Sequence, residues 1–213
     1  AGMRRKANID EDVERYSISR SLRAIRRAHL ALVLVDAVEG FSEQDKRIFR
    51  YVVENGAAMG IVYTKWDLVE DKERRLRELN DYIDLKAPFL KYVPQITISN
   101  ITRQRLFKTF EIIDHVAAEA SKRIGTGELN RFMEALKATP APAMRHGRQA
   151  KVKYMTQVSV KPTTFVLFVN SVELFHFSYL RYIENRLREA YGFDGVPLTL
   201  ELREGQGQKK SEY

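Results

Sequence analysis

Six apolar residues in succession, Leu30-Ala-Leu-Val-Leu-Val35, leave no polar face to turn towards water. A strand wetted on one side alternates, so an uninterrupted run predicts a strand covered on both faces, as in a parallel sheet. Asp36–Gly40 reads as its exit loop. Ser42-Glu-Gln-Asp45 has the form of an N-cap with an acidic first turn, and Asn55-Gly56 that of a helix stop. A second apolar strand, Ala58–Tyr63, follows, then a charged helix near Lys72–Asp84 and a strand over Gln95–Ile98. Thr102 is placed to cap a long helix closing near Ile124-Gly125. Upstream, Ile18, Leu22 and Ile25 share one helical stripe within Ser17–Ala28, whose other face carries Arg20, Arg23, Arg26 and Arg27 and is read as solvated. Strand and helix alternating through short loops predict a doubly wound α/β sheet with right-handed crossovers.

The second strand empties into Thr64-Lys65-Trp66-Asp67. Open α/β sheets bind ligands at the carboxyl ends of their strands. An ionised carboxylate accepts two parallel hydrogen bonds, and the Watson–Crick edge of guanine offers two donors side by side where adenine has no such pair. A lysine stem can lie along the flat face of a base while its ammonium stays in solvent. Lys65 and Asp67 therefore suit a loop that reads guanine. Taken alone, Asp67 also reads as the cap of the helix that follows.

Composition narrows the field of functions. The chain has 213 residues, 44% hydrophobic and 30% charged, enough to bury real cores. With no cysteine there is no disulfide framework, thiolate metal site or cysteine nucleophile, which fits a cytoplasmic location. No apolar run approaches the ~18 residues of a membrane span, and no signal peptide is read. A net charge of +8 leans towards a polyanionic partner, although the basic residues are interleaved with acidic ones almost throughout.

After Gly125 the pattern changes. A helix over Glu128–Lys137 leads into a Pro/Ala/Gly stretch, Ala138–Gly147, read as a mobile loop. Lys151–Val160 alternates with period two and places Val152, Tyr154, Thr156, Val158 and Val160 on one face. The other face carries Lys151, Lys153, Met155, Gln157 and Ser159. A strand over Thr164–Asn170, a helix from Ser178 to Gly192 and a strand over Leu198–Arg203 complete an α+β unit, with helices on one face of a three-stranded sheet. Arg145, His146, Arg148, Lys151 and Lys153 form the densest basic cluster, read either as a phosphate contact surface or as ordinary loop solvation. His176, between two Phe residues, is read as a hydrogen-bonded core histidine, and 205–213 as a disordered polar tail.

T-K-W-D resembles the N-K-x-D guanine-specificity element of the P-loop GTPases. The text around it, and the run from Pro162 to Phe193, resemble the bacterial EngA/Der family, in particular its second GTPase domain and the KH-like domain after it. The resemblance implies a partial P-loop GTPase domain over 1–125, from the switch onward, and a KH-like domain over 126–204. It implies that Thr64, standing where the family has Asn, contacts guanine with Lys65 and Asp67, and that Ser99-Asn100 presents backbone to the base like the family's S-A-K element. Ala1-Gly2 would end the D-T-A-G switch at the γ-phosphate, with Met3 where many GTPases place a water-orienting Gln. The cofactors implied are GTP or GDP with Mg2+, held mostly by residues upstream of Ala1, and a monovalent cation. The partners implied are the ribosome, through large-subunit RNA, and an intramolecular contact between the KH-like and GTPase domains, with no membrane. No G-x-x-x-x-G-K-[ST] occurs, so these residues alone are expected to be inactive, with no catalytic or metal-ligating residue among them. KH modules clamp nucleic-acid backbone with a G-x-x-G loop between helices. No G-x-x-G is read here, so a protein-facing or atypical RNA surface stands beside the standard KH surface. A different class stays open: a nucleotide-independent RNA-binding or scaffold module whose GTPase half is vestigial.

Overall fold

The structure, a computed structural model, describes residues 22–137 and 148–204. It divides into two units. The first takes the chain up to Ser121 together with Phe193–Pro197; the second takes Lys122–Gly192 and the chain from Leu198.

In the first unit, β1 (Leu30–Asp36), β2 (Ala58–Thr64) and β3 (Gln95–Thr97) form a parallel sheet in the order β1-β2-β3. Helices α1 (Glu43–Glu54) and α2 (Lys72–Lys86) are the crossovers, and α3 (Lys108–Ala120) follows β3. Register follows side-chain alternation: Val33 faces Ile61 and Val35 faces Tyr63. These residues share a core with Phe49 and Val52 of α1 and Leu79 and Ile83 of α2. On the opposite face Gly60 lies against Leu32 and Ile112 of α3, where an added Cβ would come within 3.0 Å of Ile112. The sheet is therefore covered by helices on both sides. α1 begins as expected: the Asp45 N–H donates to Ser42 Oγ (3.1 Å) and the Ser42 N–H donates to Asp45 Oδ2 (2.8 Å).

Two expectations are revised here. β2 is buried from Ala58 through Tyr63, but β1, at the edge of the described sheet, leaves Leu34 60% exposed on the α3 side. Thr102 does not cap a helix. Its N–H donates to Ser99 Oγ (3.1 Å), and α3 starts only at Lys108. Arg103 and Arg105 hold left-handed backbones (φ 59° and 53°), which a right-handed helix cannot absorb. The Arg105 guanidinium donates to Thr97 Oγ1 at 2.7 Å, fixing that turn to the end of β3.

In the second unit, α4 (Thr126–Lys137), β4 (Val152–Val160), β5 (Thr163–Val169), α5 (Phe177–Tyr191) and β6 (Leu198–Glu204) follow in the expected order. The sheet runs β4-β5-β6, antiparallel then parallel. β4 does not keep the two faces that the alternation predicts, because Val152 is buried together with Met155 and Gln157 of the other set. Met155 and Gln157 are buried, while Tyr154 and Val158 are exposed. The cause is two register irregularities, between Val152 and Tyr154 and between Gln157 and Ser159, because one extra residue in a strand moves those after it to the other face. Buried Gln157 is satisfied by backbone: its Oε1 accepts from the Ile124 N–H (2.7 Å) and its Nε2 donates to the Lys122 carbonyl (2.9 Å).

His176 is exposed rather than buried. Its Nδ1 accepts from the Ser178 N–H at 3.3 Å, so it caps α5, which starts one residue before the expected Ser178. The reading that no G-x-x-G appears is corrected: Gly192-Phe193-Asp194-Gly195, after α5, has that form. Its middle and end belong to the first unit. There the Phe193 N–H donates to the Glu119 carboxylate (2.5 Å), the Gly195 N–H to the Tyr92 carbonyl (2.7 Å) and the Met59 N–H to the Gly195 carbonyl (2.7 Å). Those amides are taken up by packing.

Candidate functional site: the loop after β2

Asp36 and Thr64 are register partners at the carboxyl ends of β1 and β2. The Thr64 hydroxyl donates to the Val35 carbonyl (3.3 Å) and the Ala37 N–H donates to the Thr64 carbonyl (2.9 Å), so the two strand ends are laced together. Lys65 then takes a left-handed backbone (φ 58°, ψ 35°) and the chain enters a short 3-10 turn, Trp66–Leu68. That reversal sends consecutive side chains apart. Lys65 leans towards β1, where its Nζ lies 2.6 Å from Asp36 Oδ2. Trp66 turns inward and is 4% exposed, its N–H donating to the Ile98 carbonyl (3.1 Å) beyond β3.

Asp67 is half-buried, and its carboxylate has no hydrogen-bond or ion-pair partner among the described residues. The cap of α2 is Asp71, whose Oδ1 accepts from the Arg74 N–H at 2.9 Å. The capping reading of Asp67 therefore falls. A half-buried carboxylate without a partner carries a desolvation cost, which a ligand with paired donors would remove.

The backbone brings Ser99 and Asn100 beside this loop. The Ile98 N–H donates to the Tyr63 carbonyl at 2.8 Å and the Ile98 carbonyl receives the Trp66 N–H. Ser99 is fully buried, its hydroxyl accepting from the Thr102 N–H and its own N–H donating to the Gln104 carbonyl (3.2 Å). Asn100 is exposed at the turn. Thr64, Lys65, Asp67, Ser99 and Asn100 thus share one end of the sheet. On the far side of Trp66 lies a cavity of about 380 Å3, lined by Tyr63, Trp66, Leu76, Gln95, Thr97 and Arg105. Burial pushes the Tyr63 phenol well up, and its hydroxyl donates to Gln95 Oε1 (2.7 Å) at that wall.

Ala1, Gly2, Met3 and Arg145 lie outside the described residues. Arg148, Lys151 and Lys153 are exposed in the second unit, at and before the start of β4. Among the described residues, no group of three or more His, Cys, Asp or Glu side chains is placed to hold a metal ion, and no helix is long and apolar enough to cross a membrane.

Sequence reading missed two residues that shape the loop. Asp36 looked like an ordinary exit-loop residue. Arg75, on α2, donates from Nε to the Ala37 carbonyl (2.6 Å) and from Nη2 to the Val38 carbonyl (3.0 Å). Only the strand-end position of Asp36, opposite Thr64, could have hinted at its part.

The family model for the KH-domain-like C-terminal region of EngA bacterial GTPase enzymes matches residues 123–203. GTPase Der of Heliobacterium modesticaldum is 47% identical over 210 residues, covering 98% of this chain and 47% of that protein. GTPase Der of Desulforamulus reducens is 47% identical over 209 residues, covering 98% and 47%. GTPase Der of Acetivibrio thermocellus is 47% identical over 204 residues, covering 96% and 46%. The chain spans about half the length of these curated relatives. A solved structure of Aquifex aeolicus Era bound to GDP.AlF4- covers 92% of this chain and 72% of its own, at 17% identity and a TM-score of 0.43, too loose a likeness to argue from. Nearly every residue of this sequence aligns with GTPase Der, and its C-terminal unit matches the EngA model, so the chain belongs to the EngA/Der family.

Proposed function

We propose that this chain forms the guanine-reading and C-terminal part of a GTP-binding, GTP-hydrolysing protein that acts in ribosome assembly. The observation that carries this is the Asp67 carboxylate, half-buried, unpartnered among the described residues and relieved of capping duty by Asp71. In this reading Asp67 accepts the paired donors of guanine, the stem of Lys65 lies on the base, Thr64 ties the loop to β1, and Ser99-Asn100 presents backbone to the base oxygen. The switch at Ala1-Gly2-Met3 senses the γ-phosphate, and a change of its order between GTP and GDP is relayed to the KH-like unit. Mg2+ finds no set of three or more His, Asp or Glu ligands among the described residues.

Fluorescent nucleotide titration of the full-length protein tests the base reading. Asp67→Ala should weaken guanine nucleotides by at least about tenfold, the scale of losing hydrogen bonds to a charged acceptor. Asp67→Asn should move preference towards xanthine nucleotides, because an amide can donate to the carbonyl that replaces the exocyclic amine. If wild-type protein takes up no nucleotide, or takes ATP as readily, the vestigial-GTPase scaffold replaces this reading.

Arg145, Arg148, Lys151 and Lys153 form the proposed contact surface for ribosomal RNA of the large subunit. Phosphate contacts release counterions, so affinity should fall steeply with salt. Lys151→Ala with Lys153→Ala should reduce the log–log salt slope by about 2, one for each ammonium removed from a phosphate. A slope unchanged by the double substitution would take these two lysines out of the interface.

A further inference from the structure

We infer that Asp36 is a positioning residue for nucleotide binding: it holds the ammonium of Lys65 so that the lysine stem is already laid out where the base arrives. The inference rests on the guanine reading above and adds to it a residue outside the T-K-W-D motif.

A lysine on an exposed loop is a flexible stem with a compact charge, and fixing it on binding costs conformational freedom. Lys65 is not left to wander. Its Nζ sits 2.6 Å from Asp36 Oδ2, although its side chain is 58% exposed. The other carboxylate oxygen is committed elsewhere: Asp36 Oδ1 accepts from the Val38 N–H (2.9 Å) and the Glu39 N–H (3.2 Å). The Asp36 carbonyl accepts from the Gly40 N–H (2.8 Å), which closes the exit loop on itself. From the far side Arg75 grips the Ala37 and Val38 carbonyls, and it passes so close to Gly40 (φ 77°) that a Cβ there would lie 2.6 Å from the guanidinium. Asp36 is thus a fixed post at the end of a strand, and Lys65 is moored to it. Burial alone would raise the Asp36 carboxyl. The hydrogen bond from Lys65 and the amides of Glu39 and Val38 outweigh it and hold the group below its usual range, so the post stays charged.

The substitution Asp36→Asn separates the two duties of this side chain. The amide oxygen can still accept from Val38 and Glu39, but its NH2 cannot accept from an ammonium. In the full-length protein, Asp36→Asn should raise the Kd of a fluorescent GDP analogue about three- to tenfold, the cost of ordering one long side chain. Inosine nucleotides should lose the same factor, because the stem meets the ring and reads no exocyclic group. In a Lys65→Met background, Asp36→Asn should add no further loss. Nitrogen-15 lysine NMR should show an exchange-protected Lys65 ammonium that disappears in Asp36→Asn. An unchanged or tighter Kd in Asp36→Asn, or losses that multiply in the double variant, would overturn the inference. Failure of Asp67→Asn to alter base preference would instead overturn the guanine reading, and the NMR signal would still report on the Asp36–Lys65 pair.

Discussion

Gly195→Ala is expected to destabilise the first unit by about 2–5 kcal/mol, combining the cost of a left-handed backbone with that of overpacking. Gly195 has φ 70°, and a Cβ there would lie 2.4 Å from the Met59 carbonyl oxygen and about 3 Å from both methyls of Val116. Nothing flexible can give way, since the nearest obstacle is the backbone of the central strand. The glycine cannot move off either, because its N–H is bonded to Tyr92 and its carbonyl to Met59. Urea unfolding of wild type and variant, followed by the fluorescence of the sole tryptophan, Trp66, reports on this unit. A loss below about 1 kcal/mol would mean that the loop has room the geometry denies it.

Gln157→Leu should cost the second unit about 2–4 kcal/mol even though leucine has nearly the same volume. The amide of Gln157 stands in for a neighbouring strand, pairing at once with the Ile124 N–H and the Lys122 carbonyl. Its removal leaves two backbone groups without partners at a site where the side chain is 3% exposed, and each orphan costs about 1–3 kcal/mol. Thermal melts of the substituted chain against wild type decide it. A neutral outcome would show that water reaches both groups.

The sequence speaks most clearly where one physical requirement leaves one solution. The run through Ala58–Tyr63 could only be a buried strand, and the Ser42/Asp45 pair only a helix start; both stand in the structure. The faces of β4 were illegible because register shifts near Lys153 and Val158 have no side-chain signature, yet they change which residues share a face. The start of α3 was illegible because Thr102 has the chemistry of a cap, while what stops the helix is the backbone of Arg103 and Arg105. His176 failed differently: hydrophobic neighbours suggested burial, but its ring nitrogen is needed outside, at the first amides of α5. At the candidate site, Lys65 and Asp67 could be found because their chemistry is local. Asp36 and Arg75 act through partners distant in the chain, which only folding brings near.

The left-handed backbone of Lys65 bears on any attempt to make this protein more heat-resistant. Glycine would relax that conformation, worth about 1–2 kcal/mol, whereas an exposed ion pair is screened by solvent and forfeits less when lost. A screen scored on melting temperature alone would therefore drift towards glycine at 65, gaining robustness while discarding the ammonium and its stem. Hardening this fold and preserving its loop are opposed aims at one position, so such a screen needs a nucleotide-binding readout beside the thermometer.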